Sequence, residues 1–283
     1  MSCITLLTDF GTQDEYVGVM KGVILTIHPS AAIVDLCHAV PPQDIPSAAR
    51  MLLAAHGYFP PNTVHVCVVD PGVGTERAIL AARAGGRLFI APDNGLLFPL
   101  LRRASADALV RVENAALFLP RISGTFHGRD IFAPVAAHLA RGVSPADLGP
   151  PATIDGIVPL FLSEPRITPN GKLIGRVTGA DRFGNLLTDI EAHHIDQLLE
   201  KGPEHGLGTG TSIEIRVGGR IIPGLSRSYG APDGETCLAV MGSRGVLEIS
   251  VSGGSAKEFL QAETGDAVTV LCRTPAEEAD PSR

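Results

Sequence analysis

The sequence predicts an α/β protein of two domains: an N-terminal α/β/α domain with a largely parallel sheet, and a C-terminal all-β barrel-like domain. In the first half of the 283 residues, short apolar runs alternate with segments of helical periodicity, which is typical of a parallel sheet covered by helices. Beyond residue 172 the apolar runs are short and separated by glycine-containing turns, which favours a small barrel or sandwich. Hydrophobic residues make up 45% of the chain, enough for each domain to bury a core.

The N-terminal half contains the clearest individual elements. The run 64–69 is almost continuously apolar, as expected of a strand buried on both faces. The apolar spacing over 14–27 predicts a helix that Pro29 terminates. We expect further strands at 4–8, 32–36, 79–82 and 87–91, the last two as a pair, and further helices at 45–56, 96–103 and 130–140.

A segment rich in proline and glycine separates the two halves. Pro159, Pro165 and the turn 169–171 interrupt regular structure. The predicted boundaries are an N-terminal domain at 1–158, a linker at 159–171, a C-terminal domain at 172–274 and a frayed tail at 275–283. Short strands are expected in the second domain at 172–178, 186–190, 212–217, 238–241, 246–251 and 267–271.

Charge and composition exclude several classes of protein. The net charge is −7 and no run of Lys or Arg occurs, so the chain lacks the basic surface that nucleic-acid binding requires. No apolar stretch approaches the ~20 residues that span a bilayer, and the N-terminus lacks the basic and apolar regions of a secretion signal. The five cysteines form no C-x-x-C pair, which favours buried free thiols. We expect a cytoplasmic protein without nucleic-acid or membrane partners.

Acidic residues end or follow four predicted strands of the first domain: Asp9, Asp35, Asp70 and Asp93. Ligands of open α/β sheets bind outside the carboxyl ends of the strands, so these carboxylates are expected to face one crevice. Asp is also a common strand-terminating and helix-capping residue, and this simpler interpretation is preferred for Asp35. Asp9 and Asp70 precede glycine-containing turns, where a ligand can approach the backbone closely, and this favours a function for both.

Several familiar ligand motifs do not occur. The glycine-rich segment 71–77 lacks the Gly-Lys-Ser/Thr ending of a phosphate-binding loop. There is no G-x-G-x-x-G dinucleotide motif and no G-x-S-x-G nucleophile elbow. No H-E-x-x-H or matched His/Cys spacing indicates zinc. We therefore expect neither a metal nor a cofactor.

His127, one of nine histidines, lies in a polar, glycine-flanked turn at the start of a predicted helix. A histidine in such a turn is accessible, and a nearby carboxylate can tune its pKa for acid–base chemistry. A surface or capping role fits His127 equally well on this evidence alone. For Asp70 and Arg77, the simpler interpretation of the residues by themselves is an ion pair that braces the loop between them.

Taken together, the motifs resemble the S-adenosylmethionine hydroxide adenosyltransferase family, whose relatives include fluorinating and chlorinating enzymes that act on the same substrate. The matching segments span nearly the whole chain in order: Thr8–Gly11, Lys21–Gly22, Val34–His38, Val69–Thr75, Asp93–Gly95, Phe126–Asp130, Phe183–Asn185 and Ser243–Gly245. The resemblance implies hydrolysis of S-adenosylmethionine to adenosine and methionine, by attack of water on ribose C5'. It also implies a homotrimer, with each substrate held between the N-terminal domain of one subunit and the C-terminal domain of the next.

The resemblance also implies roles for individual residues. Asp70, Arg77 and His127 match the three residues that surround the nucleophilic water in the hydroxide-using members. The fluorinating relatives are expected to carry Tyr at the first and last of these positions and Trp at the position of Gln43, whereas this chain contains no Trp. Water is therefore preferred over halide as the nucleophile.

Substrate contacts follow from the same resemblance. Asp9 matches the residue that binds the ribose hydroxyls, and Arg244 matches the residue that faces the methionine carboxylate. The other matching positions are Asp181 and Ser243 near the methionine amino group, and Asn185, Phe183, Tyr229 and the backbone around Ala256 near adenine. Two alternative functions stay open on the sequence: a halogenase of the chlorinating type, and a protein that binds adenosine or S-adenosylmethionine without turnover.

Overall fold

The computed structural model describes residues 2–200, 212–230 and 237–273. The chain consists of two compact units, Met1–Leu162 and Ser163–Arg283. The predicted tail 275–283 lies outside the described residues. Across the described ranges, no helix combines the length and apolar character needed to cross a bilayer. All five cysteines are free thiols.

The first unit contains a six-stranded mixed sheet. Its strands are β1 (Cys3–Thr8), β2 (Ala32–Cys37), β3 (Val64–Val68), β4 (Ile79–Ala84), β5 (Arg87–Pro92) and β6 (Ala106–Arg111), in the spatial order β2-β1-β3-β5-β4-β6. The first four strands of this order are parallel neighbours, which confirms the predicted parallel arrangement. The predicted pair β4 and β5 is antiparallel, and β4 also pairs antiparallel with β6, an edge strand that the sequence did not reveal.

Helices cover both faces of this sheet. They are α1 (Tyr16–Ile27), α2 (Ile45–Ala55), α3 (Phe98–Arg103) and α4 (Ala133–Ala140). Because side chains alternate along a strand, Leu6 of β1 packs in one core with residues of α1 and α4, and Leu7 packs in the other core with residues of α2 and α3. The helix predicted at 130–140 begins earlier, with a π-helical turn at Gly128–Phe132 that leads into α4.

The second unit is an antiparallel, nearly closed barrel. Its strands are β7 (Arg166–Ile167), β8 (Lys172–Ala180), β9 (Leu186–Glu191), β10 (Ser212–Val217), β11 (Arg220–Pro223), β12 (Cys237–Met241), β13 (Val246–Val251) and β14 (Ala267–Arg273). The spatial order is β11-β10-β14-β8-β9-β13-β12, with β7 paired to β8. The segment that follows the end strand β11 reaches the other end strand, β12, where Ser226 N donates to Ala239 O at 2.7 Å. Two helices, α5 (Ala192–Glu200) and α6 (Ala256–Leu260), complete the unit.

Candidate active site

The carboxyl ends of adjacent parallel strands carry the acidic residues that the sequence singled out. Asp9 directly follows β1, Asp93 directly follows β5, and Asp70 lies two residues beyond the end of β3. Asp35 lies inside β2, one strand further along the same sheet. These residues therefore share the edge at which open α/β sheets bind ligands.

Asp70 and Arg77 form a buried ion pair across the loop that joins β3 to β4. Nε of Arg77 lies 2.9 Å from each carboxylate oxygen of Asp70, and Nη2 donates a further short hydrogen bond to Oδ2. The Arg77 side chain is 10% exposed and that of Asp70 is 4% exposed. A planar guanidinium that donates two ways to a carboxylate restricts both orientation and distance, so the two groups are held in one geometry.

His127 extends this pair through its ring. Nη2 of Arg77 lies 2.9 Å from Nδ1 of His127. Because a guanidinium offers only donors, Nδ1 accepts, and the neutral ring then carries its proton on Nε2. Burial lowers the pKa of His127, and the charge of Arg77 lowers it further, against the opposing charges of Asp70 and Asp130. A hydrogen bond with the backbone of Ser123 also opposes the shift, but the net direction is downward, so His127 is a neutral ring at physiological pH.

The loops that carry these side chains pack directly against each other. Gly74 has a φ of +78°, and a Cβ there would lie 2.1 Å from the carbonyl oxygen of Gly124, so only glycine fits. Asp130 is fully buried and accepts a 2.8 Å hydrogen bond from Ser123 N, which holds the loop that precedes His127. This close approach fixes the distance between the ion pair and the imidazole ring.

Asp9 lies on a loop that faces the segment following β2. Its Oδ2 accepts a 2.9 Å hydrogen bond from the backbone N of Gln43, a residue in the left-handed region with a φ of +64°. Asp9 is partly exposed. One carboxylate oxygen is thus fixed by the protein while the side chain stays accessible to a bound molecule.

In the second unit, Asp181 organises the turn between β8 and β9. Its Oδ1 accepts from the backbone N of Phe183 at 2.8 Å and of Asn185 at 2.9 Å. Its Oδ2 accepts from Nδ2 of Asn185 at 2.8 Å. The structure therefore brings Asp181 and Asn185 into direct contact, and it leaves the Phe183 ring 77% exposed on the same turn.

Ala256 lies next to this turn, at the start of α6. The carbonyl of Gly184 accepts a 2.9 Å hydrogen bond from Lys257 N, and a Cβ on Gly184 would lie 2.2 Å from Ser255 Oγ. Ala256 itself is fully buried in the apolar core of the second unit. Its neighbours Ser255 and Lys257 are the residues that reach the surface there.

Tyr229, Ser243 and Arg244 are accessible side chains near a buried glutamate. The Tyr229 hydroxyl donates a 2.7 Å hydrogen bond to Oε2 of Glu248, which is 3% exposed. This hydrogen bond raises the pKa of Tyr229 to about 12, and the charge of Arg244 opposes the shift. Ser243 and Arg244 are exposed on the turn between β12 and β13.

Comparison with known proteins matches both units to one family. The N-terminal domain model of the SAM hydroxide adenosyltransferases matches residues 4–149, and the C-terminal domain model matches residues 175–269. The chain belongs to the SAM hydroxide adenosyltransferase family. The (R)-S-adenosyl-L-methionine hydrolase of Thermus thermophilus is 40% identical over 281 residues, which cover 96% of this chain and 100% of the relative.

Other proteins are similar to nearly the whole chain at lower identity. An uncharacterised conserved protein from Thermotoga maritima, known as a crystal structure, superposes with a TM-score of 0.85 at 36% identity and covers 95% of this chain and 99% of its own. A fluorinase from Nocardia brasiliensis is 28% identical over 296 residues, covering 94% of this chain and 96% of the relative. The relatives of this chain thus include a protein named as a hydrolase and a protein named as a fluorinase.

The structure of this family member also shows polar residues that were not predicted as site residues. Glu248 is one, and its signal was an acidic residue within the otherwise apolar run of β13. His38 is another, with 6% exposure, beside the loop that carries Asp9; from the sequence it was named only within the matching segment Val34–His38. Among the described residues, no three His, Cys, Asp or Glu side chains are grouped as ligands for a metal ion.

Proposed function

We propose that this chain hydrolyses S-adenosylmethionine to adenosine and methionine. The observation that carries the proposal is the contact network of Asp70, Arg77 and His127. Family membership supports it, as does the T. thermophilus relative that is named (R)-S-adenosyl-L-methionine hydrolase.

The proposed reaction is a nucleophilic substitution at carbon. The oxygen of a water molecule bonds to C5' of the ribose, and the C5'–S bond breaks. The electron pair of that bond stays on sulfur, so the sulfonium becomes the neutral thioether of methionine, and the water loses a proton. Because the leaving group departs neutral, it needs no acid to protonate it and the reaction needs no cofactor. Holding the water in line with the breaking bond is worth about 7–11 kcal/mol.

The hydrogen-bond directions of the three side chains assign them separate roles. Nε2–H of His127 donates to the water oxygen, because Nδ1 is occupied by Arg77. A carboxylate has about four lone-pair sites, and the contacts from Arg77 occupy three of them. Asp70 therefore retains an acceptor site for a water proton, and it is the base that we assign. Arg77 keeps this carboxylate and the imidazole in register.

The remaining residues bind the substrate. We assign Asp9 to the ribose hydroxyls, since one oxygen of this accessible carboxylate is already fixed by Gln43. Arg244 is exposed and suits a bidentate contact with the methionine carboxylate. The other assignments are Asp181 and Ser243 for the methionine amino group, and Asn185, Phe183, Tyr229 and the backbone around Ala256 for adenine.

The proposal includes a homotrimer that places each substrate between the N-terminal unit of one subunit and the C-terminal unit of the next. It also includes a cytoplasmic location, which five free thiols support because a reducing compartment keeps thiols unpaired.

The decisive experiment incubates the purified chain with S-adenosylmethionine in water enriched in ¹⁸O and analyses the products by chromatography and mass spectrometry. We expect adenosine with one ¹⁸O at the 5' position, together with unlabelled methionine. Chloride-dependent 5'-chloro-5'-deoxyadenosine would instead assign a halogenase. Binding of adenosine without any turnover, unchanged in Asp70→Ala, would assign a sensor.

A subunit-mixing experiment tests the shared site. Asp70→Ala removes a residue of the first unit and Arg244→Ala removes one of the second unit, so each variant alone is expected to be inactive. If one site takes residues from two subunits, refolding the variants together restores up to about a quarter of the parent activity. Absence of any recovery, with mixed oligomers verified by mass spectrometry, would refute the shared site.

A further inference from the structure

A buried histidine that the proposed mechanism does not use lies beside the loop of Asp9. His38 is 6% exposed, and its Nδ1 lies 2.8 Å from Oγ1 of Thr8, the residue before Asp9. Its Nε2 lies 3.1 Å from Oδ1 of Asp35, off the line of an aligned hydrogen bond. Lys21 Nζ donates to the other oxygen of Asp35 at 2.6 Å. The His38 network comprises four side chains: Lys21, Asp35, His38 and Thr8.

The His38 network is linked to the backbone of the Asp9 loop. The backbone N–H of Phe10 donates to Thr8 Oγ1 at 3.2 Å, and the same oxygen lies 2.8 Å from Nδ1 of His38. Burial raises the pKa of Asp35, but the interactions with Lys21 and His38 outweigh it and lower that pKa below the ordinary value.

His38 holds the Asp9 loop from both sides. On one side its ring binds Thr8, and on the other its carbonyl oxygen accepts a 2.7 Å hydrogen bond from the backbone N of Gly11. The pairing of β1 with β2 shifts by one residue between Leu6 and Leu7, and such irregularities redirect side chains next to functional sites. Asp9 therefore lies between two points that His38 fixes.

We propose that His38 is a positioning residue for the nucleoside, which acts through Thr8 to hold the Asp9 carboxylate against the ribose hydroxyls. This inference rests on the proposed function, because it requires Asp9 to bind ribose. Preorganisation of a binding group lowers the entropic cost of binding. Loss of the network therefore weakens the recognition of the hydroxyls and leaves contacts to adenine in place.

The test compares two threonine–histidine pairs on the same strand. Thr5 Oγ1 lies 2.7 Å from Nδ1 of His65, and Thr5 and Thr8 are both fully buried. Thr5→Val and Thr8→Val each remove a buried hydrogen bond to a histidine, but only Thr8 adjoins Asp9. Thr8→Val also removes the contact from Phe10 N, which His38→Leu leaves in place. Calorimetry measures the dissociation constants of adenosine, 2'-deoxyadenosine and 3'-deoxyadenosine for the parent, for both variants and for His38→Leu.

We expect the parent and Thr5→Val to prefer adenosine over the deoxynucleosides by about 10-fold, the value of one good hydrogen bond to a charged group. In Thr8→Val and His38→Leu this preference falls to about 3-fold or less. In an Asp9→Ala background, Thr8→Val causes no further change, because its effect passes through Asp9. Thr8→Val carries the test if His38→Leu does not fold.

Three results would overturn the inference. Parent-like discrimination in Thr8→Val removes the role of His38 and leaves the proposed function standing. Equal weakening of all three nucleosides in Thr8→Val identifies a general structural role and likewise leaves the function standing. A parent that binds no nucleoside, or that binds all three equally, overturns the assignment of Asp9 and this inference with it.

Discussion

Replacing Asp70 with Asn should separate the catalytic role of its carboxylate from its structural role. The substitution keeps the size of the side chain, removes its charge and places an NH2 group against the donors of Arg77. Three hydrogen-bond contacts join Arg77 to the carboxylate, whose side chain is only 4% exposed. Breaking a buried ion pair by removing one partner costs about 3–5 kcal/mol. Because an amide oxygen still accepts one contact, we expect about 3 kcal/mol, which lowers the Tm by about 6–12 °C.

We expect the loss of kcat in Asp70→Asn to be much larger than the loss of folded protein can explain. Removing a positioned general base costs about 10²–10⁴-fold in rate, and we expect Asp70→Asn to lose at least about 10²-fold in kcat while the Kd of adenosine changes less than about 3-fold. The assay is adenosine release followed at a temperature at which circular dichroism shows the variant to be folded.

Glu214→Gln is the matched control. Glu214 is a buried carboxylate that accepts from Arg216 Nε at 2.5 Å, and it has no part in the proposed site. Its substitution should cost stability and less than about 10-fold in kcat. Turnover by Asp70→Asn within about 3-fold of the parent, or a loss no larger than that of Glu214→Gln, would refute the role of Asp70 as the base.

Two further predictions follow from the backbone and from a buried histidine. Gly74→Ala should disturb the contact with Gly124 and lower kcat by about 10-fold or more. Gly85 also has a positive φ, but open space surrounds the position of its Cβ, so Gly85→Ala should lower only the stability, by about 1 kcal/mol. Equal effects of the two substitutions on kcat would contradict the prediction. Burial lowers the pKa of His65 to about 3 in the folded protein, whereas an unfolded histidine titrates near 6.5. The contribution of the neutral His65 to stability is therefore complete above pH 6.5. It is lost as the pH falls towards 3, by up to about 4–5 kcal/mol. Urea midpoints at pH 7, 5 and 4 should therefore decline less in His65→Phe than in the parent, and parallel declines would show that other groups cause the acid sensitivity.

Local hydrophobic periodicity was sufficient to predict the helices and strands that bury one continuous face. The apolar run of β3 and the helical spacing of α1 were both predicted within two residues of their observed ends. Elements with weaker patterns were missed. β6 lies at the sheet edge, lacks a regular alternation and has only two buried positions. α5 follows β9 without a break and buries only Ile195 and Leu198. Their stability comes from neighbouring elements, which short windows of sequence do not reveal.

The sequence by itself determined the family, the order of the elements and the residue types available for chemistry, because hydrophobic periodicity and short motifs are local properties of a chain. Only the tertiary structure decided which of these residues touch. His127 lies 50 positions from Arg77, and His38 lies 30 positions from Thr8. The tautomer of His127 follows from its contact with Arg77, and its lowered pKa follows from burial and neighbouring charges. Both exist only once the strands have brought their loops together.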